Sequence, residues 1–114
     1  MELRIDHSGP VPLASLRGEI RSEDAVTFLE ELHPLVAEPD SRLAIDLSQV
    51  EFIDSSGLTS LINVVTRARL AKGRAILVGP TPFVSGVFEV TNLNRWFEIV
   101  DTLDEVRKAF SPLA

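Results

Sequence analysis

The sequence predicts one α/β domain with a mixed, mostly parallel sheet of about five strands and about four helices, in the order ββαβαβαβα. Three observations carry this. Apolar residues alternate in some stretches and recur every three or four residues in others, and the two patterns take turns along the chain. Gly, Pro, Asn and Asp punctuate the changes. The 114 residues, 45% of them hydrophobic and 25% charged, suit a single core and one domain over 1–114.

Each element follows from its own stretch. Glu2–His7 and Leu13–Glu19 are short extended pieces on either side of Gly9-Pro10-Val11-Pro12. Pro12 can only start the second strand or lie at an edge, because it has no N–H for a ladder. Ser22 is the expected N-cap of the first helix, with Glu23 and Asp24 in the first turn, where the helix dipole favours acids. Ala25, Phe28, Leu29, Leu32, Leu35 and Val36 form its apolar stripe. Pro34 removes the bond to the Glu30 carbonyl, so a kink or a loosened last turn is expected. Leu43, Ile45 and Leu47 alternate with Ala44 and Asp46 as a strand, Leu43–Leu47. The second helix carries Leu58, Leu61, Ile62, Val65 and Ala68, and Gly73 stops it. Arg74–Val78 reads as a buried strand. Thr81-Pro82 opens a third helix with Phe83, Val84, Val87 and Phe88 as its stripe. Phe83, Phe88 and Phe97 are assigned to the core and Trp96 to its margin. Trp96–Val100 is the last strand. Thr102-x-x-Glu105 is a capping box for a final helix with Leu103, Val106 and Phe110.

Composition excludes several functions. The net charge is −6 and the eleven Lys and Arg are scattered, which argues against nucleic acid and anionic lipid as partners. With no cysteine there is no disulfide, thiolate metal site or cysteine nucleophile. No apolar run approaches the ~20 residues that cross a bilayer. The first residues lack the apolar core of a secretory signal, so the expected location is the cytoplasm, with no direct membrane insertion.

The stretch FIDSSGL, Phe52 to Leu58, is the candidate site. It forms the loop after the Leu43–Leu47 strand, on the rim where α/β sheets place their functional loops. Asp54, Ser55, Ser56 and Gly57 suit a helix cap. They do not form a nucleophile elbow: the first glycine of G-x-S-x-G is replaced by Ile53. The only candidate bases, His7 and His33, read as surface histidines. No phosphate-binding loop or dinucleotide fingerprint is present, and Asp46, Glu51 and Asp54 lack ligand spacing. No cofactor, metal or catalytic activity is therefore expected. A third use of the stretch is as a place where another enzyme writes a charge.

From Leu13 to Phe110 the chain resembles the STAS-domain family and, within it, the bacterial anti-sigma factor antagonists. The segments LRGEI, LAIDLSQVEFIDSSGL and AKGRAILVGPTPFVSGVFEVTNLNRWFEIVDTLDEVRKAF carry the resemblance. D-S-S-G-L is its most specific part, supported by Phe88, Thr91, Leu93, Arg95, Phe97, Ile99 and Val100. The resemblance implies a STAS fold and a partner, an anti-sigma factor of the serine-kinase type, which phosphorylates the hydroxyl directly after the acid. That hydroxyl is Ser55, with Ser56 as the alternative and the more structural of the two; Asp54 is the acid. Docking across Asp54, Ser55, Ser56, Gly57 and Leu58 would free the sigma factor, and phosphorylation would reverse it. Thr59, Ser60, Asn63, Thr66 and Arg67 lie opposite the second helix's stripe; four of the five are uncharged, and this face is expected to extend the docking surface. Arg21 stands where the family often carries an acid. It is expected beside Asp54, able to pair with it or with a phosphate on Ser55. The alternative function keeps the fold and drops phosphorylation: a STAS subunit docked onto a lipid-transport complex or a signalling scaffold. A homodimer is compatible with the sequence but is not predicted.

Overall fold

In a computed structural model describing residues 1–110, the two periodicities resolve into five strands and four α-helices. The strands are β1 (Glu2–Asp6), β2 (Leu13–Ile20), β3 (Arg42–Ile53), β4 (Arg74–Val78) and β5 (Glu98–Val100). The helices are α1 (Ala25–Leu32), α2 (Ser55–Leu70), α3 (Pro82–Val90) and α4 (Leu103–Ala109). The strands lie side by side in chain order. β1 is antiparallel to β2, and every later pairing is parallel.

This order decides where the core sits. Parallel neighbours joined by right-handed crossovers, always stepping the same way, put their helices on one face. Leu43, Ile45 and Leu47 of β3 and Ala75 and Leu77 of β4 point to that face. There they meet Phe28 and Leu32 of α1, Leu61, Val64 and Val65 of α2, and Val84 and Phe88 of α3. The alternate residues Ala44, Ile76 and Val78 point the other way, against Val106 and Phe110 of α4. Arg74 Nη1 and Arg42 Nη1 donate to the Ala109 and Phe110 carbonyls at 2.8 and 3.2 Å, closing the C-terminal end of α4.

Several expectations are corrected. β3 does not end at Leu47 but runs on to Ile53, because register shifts in β2 at Ser15/Arg17 and Gly18/Glu19 keep the two strands paired. Ser48 and Gln49 hide this continuation by breaking the apolar alternation. β5 begins at Glu98, since a 3-10 turn over Leu93–Arg95 occupies the approach. Ser22 is not the first helix's cap. It opens a 3-10 turn whose Asp24 carboxylate accepts from the Arg21 N–H at 2.9 Å. Pro34 acts as expected: α1 stops at Leu32 and His33–Val36 tightens into a 3-10 turn. At the end of α2 the left-handed residue is Lys72, not Gly73. Gly73 is needed for another reason, since a Cβ there would lie 2.3 Å from the Ser41 carbonyl oxygen. The Glu105 carboxylate reaches the Asp101 N–H at 3.1 Å rather than that of Thr102, while Thr102 Oγ1 accepts from Glu105 N as the box requires. Phe83 is not core. Val84 and Phe88 fix the buried side of α3 and turn Phe83 outward, 47% exposed, with its ring on Phe52 at 5.3 Å. Trp96 is marginal as expected, beside Phe97 and under the Arg69 guanidinium at 4.3 Å. No helix among the described residues is long and apolar enough to cross a membrane.

Candidate functional site

The continuation of β3 builds the site. It pairs Ile53 with Ile20, so the turns after β2 and β3 share one rim. Asp54 joins them. Its N–H donates to the Ile20 carbonyl at 3.1 Å. Its extended backbone makes it the N-cap of α2, with Oδ1 accepting from the Gly57 N–H at 2.8 Å. Its Oδ2 accepts from the Ser22 N–H at 3.2 Å. One carboxylate thus satisfies donors from two loops. Gly57 is required by close approach: a Cβ there would stand 2.8 Å from the Ile20 carbonyl oxygen, Ile20 Cγ2 and Ile53 Cγ1.

Past this clamp, Ser55 is exposed and Ser56 half-buried. Their N–H groups are the first two of α2, which a helix leaves without an intrahelical acceptor. Ala25 and Leu29 of α1 face Ser55, Ser56, Thr59 and Asn63 of α2 across an open groove of about 320 Å³. Thr59 donates its hydroxyl to the Ser55 carbonyl at 2.9 Å. At the far end, His33 Nε2 donates to Asn63 Oδ1 at 2.7 Å.

The structure brings Asp54, Ser55, Ser56 and Thr59 together and places Asn63 and Arg67 exposed further along α2. Leu58 and Thr66 are half-buried, and Gly57 is buried. Ser60 departs from the expected face. It is 4% exposed, and its hydroxyl donates to the Ser56 carbonyl at 3.1 Å, so it supports the helix rather than presenting a surface. Arg21 does not pair with Asp54. Its guanidinium bonds Glu19 Oε1 at 2.7 Å and lies 4.4 Å from the centre of the Phe52 ring. The Glu19 hydrogen bond chiefly holds the Arg21 pKa above its ordinary value. Three roles escaped the sequence reading: that of Ser22 through its N–H, that of His33 through Asn63, and that of Phe52 beneath Arg21. Ser22 and Asp54 are 32 residues apart, and no local pattern signals such a bond.

Comparison with known proteins matches this architecture. The STAS domain model matches residues 2–106. The Bordetella bronchiseptica protein BtrV is 27% identical over 110 residues, covering 96% of this chain and 95% of that one. The crystal structure of an anti-sigma factor antagonist from Mycobacterium paratuberculosis is 28% identical, covers 95% of this chain and 92% of its own, and superposes with a TM-score of 0.82. Bacillus SpoIIAA, solved in unphosphorylated and phosphorylated forms, shares the fold at 17% identity with TM-scores of 0.76 and 0.72. The unphosphorylated form covers 95% of this chain and 96% of its own. With its strand order, the clamped turn before α2 and a family model covering almost every described residue, the chain belongs to the STAS domain family.

Proposed function

We propose that this is a regulatory binding protein of the anti-sigma factor antagonist type rather than a catalyst. It docks a serine-kinase anti-sigma factor across the Asp54–Leu58 rim and the exposed side of α2, which releases the sigma factor. Phosphorylation of Ser55 by that kinase ends the docking. One observation carries the reading: the Ser55 side chain is exposed beside an open groove, directly after an acid whose two oxygens are already engaged by backbone N–H groups. The Mycobacterium paratuberculosis antagonist supports the partner class.

The energetics support the direction of the switch. A phosphoserine adds about −1.5 to −2 charges at neutral pH. At a helix N-terminus that charge is favoured by roughly 0.3–1 kcal/mol, with the Ser55 and Ser56 N–H groups beside it. A partner surface shaped for a neutral hydroxyl meets the opposite balance, since a buried, unpaired charge costs on the order of 3–5 kcal/mol. That corresponds to about a hundred- to several thousand-fold in affinity. The interface term exceeds the local one, so docking changes while the domain stays folded.

The test uses the purified protein, ATP and candidate serine-kinase anti-sigma factors from the host. A mass gain of one phosphate is expected, lost in Ser55→Ala and kept in Ser56→Ala, together with loss of the complex in Ser55→Glu. No modification by any candidate kinase, or undiminished binding by Ser55→Glu, overturns the reading in favour of docking without phosphorylation.

A further inference from the structure

The outer side of α3 carries a second surface. Phe83 and Val90 are 47% and 85% exposed, and with Pro82, Gly86, Val87 and Thr91 they line an apolar groove of about 440 Å³. Phe83, Gly86, Val87 and Val90 share one helical stripe at i, i+3, i+4 and i+7. Its floor is the glycine. Gly86 sits in the middle of α3, where glycine is the poorest helix former after proline. Nothing among the described residues asks for it: a Cβ built there meets none of their atoms within 4 Å, and the backbone is not in the left-handed region. The missing side chain leaves a notch that opens outward.

The surroundings identify the occupant. The Phe83 ring packs on Phe52, Phe52 carries the Arg21 guanidinium, and the next residue, Ser22, donates to Asp54. The notch and the turn that holds Asp54 are therefore linked by one chain of contacts. We infer that the notch over Gly86 seats an aliphatic or aromatic side chain of the same protein partner that docks on the Asp54–Leu58 rim; this rests on the docking proposed above. The notch supplies an apolar anchor remote from the switched charge, as interfaces concentrate affinity in a few buried apolar contacts.

The experiment titrates the purified anti-sigma factor against wild type, Gly86→Ala, Gly86→Leu and Ser55→Glu, with thermal melts of each. Gly86→Ala is expected to raise the melting temperature, since alanine favours the helix, and yet to weaken binding severalfold. Gly86→Leu is expected to weaken it tenfold or more. A purely structural glycine would not give a more stable variant that binds less well. If Ser55→Glu abolishes binding while both Gly86 variants bind like wild type, the notch is not an anchor and the rim reading stands. If the Gly86 variants weaken binding while Ser55→Glu does not, the rim reading falls and the shared interface with it. A wild-type dimer that Gly86→Leu dissociates in sedimentation makes the occupant a second copy and overturns the inference.

Discussion

Asp54 concentrates the local chemistry of this domain in one side chain. Its two oxygens receive N–H groups from Gly57 and from Ser22, which lie in different loops. Removing an N-cap costs about 1 kcal/mol, and a second charge-assisted bond adds a comparable amount. Asp54→Ala should therefore lower stability by about 2 kcal/mol in urea unfolding, and Asp54→Asn, which keeps one oxygen, by about half of that. No loss in Asp54→Asn would show that the second oxygen contributes nothing. That this stretch caps a helix was legible, because Asp-Ser-Ser-Gly matches local helix chemistry, but which of its side chains does so was not. The bond to Ser22 was not, because it depends on two strands ending side by side. Ser60 teaches a related lesson. A serine whose hydroxyl bonds back to the Ser56 carbonyl is satisfied within its own helix and can be buried, so polarity alone misassigned it to the surface.

Among the elements, α2 divides its residues most sharply. Gly57, Leu61, Val64, Val65 and Ala68 are buried, while Thr59, Asn63 and Arg67 face outward. Thr59 and Asn63, its uncharged part, are cheaper to desolvate against a partner than charged side chains. Asn63→Arg puts a long cation there and removes the bond to His33, an exposed contact worth about 0.5–1.5 kcal/mol at most. Binding of the anti-sigma factor should fall tenfold or more while the melting temperature drops by no more than a few degrees; unchanged affinity removes this face from the docking surface. β3 shows where element boundaries escape sequence patterns. Its last half pairs with β2 across two register shifts, and a strand that changes register loses the strict alternation that makes strands recognisable. α3 failed differently: its apolar stripe is wider than the sheet can cover, so Phe83 and Val90 remain outside.

For the whole molecule, the proposed switch requires that the rim change charge without disturbing the sheet. Ser55 lies beyond the clamp, and the two hydrophobic clusters are built from β-strand, α-helix and loop residues that do not include it. The singly phosphorylated protein should melt at the same temperature as the unmodified one or a few degrees higher, given the favourable helix-dipole term. Its amide spectrum should change around the α1–α2 groove and the Ser22 turn and stay constant in β4 and β5. A large fall in melting temperature, or shifts throughout the sheet, would mean the switch works by unfolding instead. What the sequence determined by itself was the list of elements, their order and a helix cap within the Asp54–Gly57 stretch, because periodicity and capping act between residues a few positions apart. What only the tertiary structure decided was which turns meet, how far β3 extends, and which of the apolar and polar side chains stay outside. Those outcomes depend on strand register and on how much area each helix has to cover, and both are settled by contacts between residues far apart in the chain.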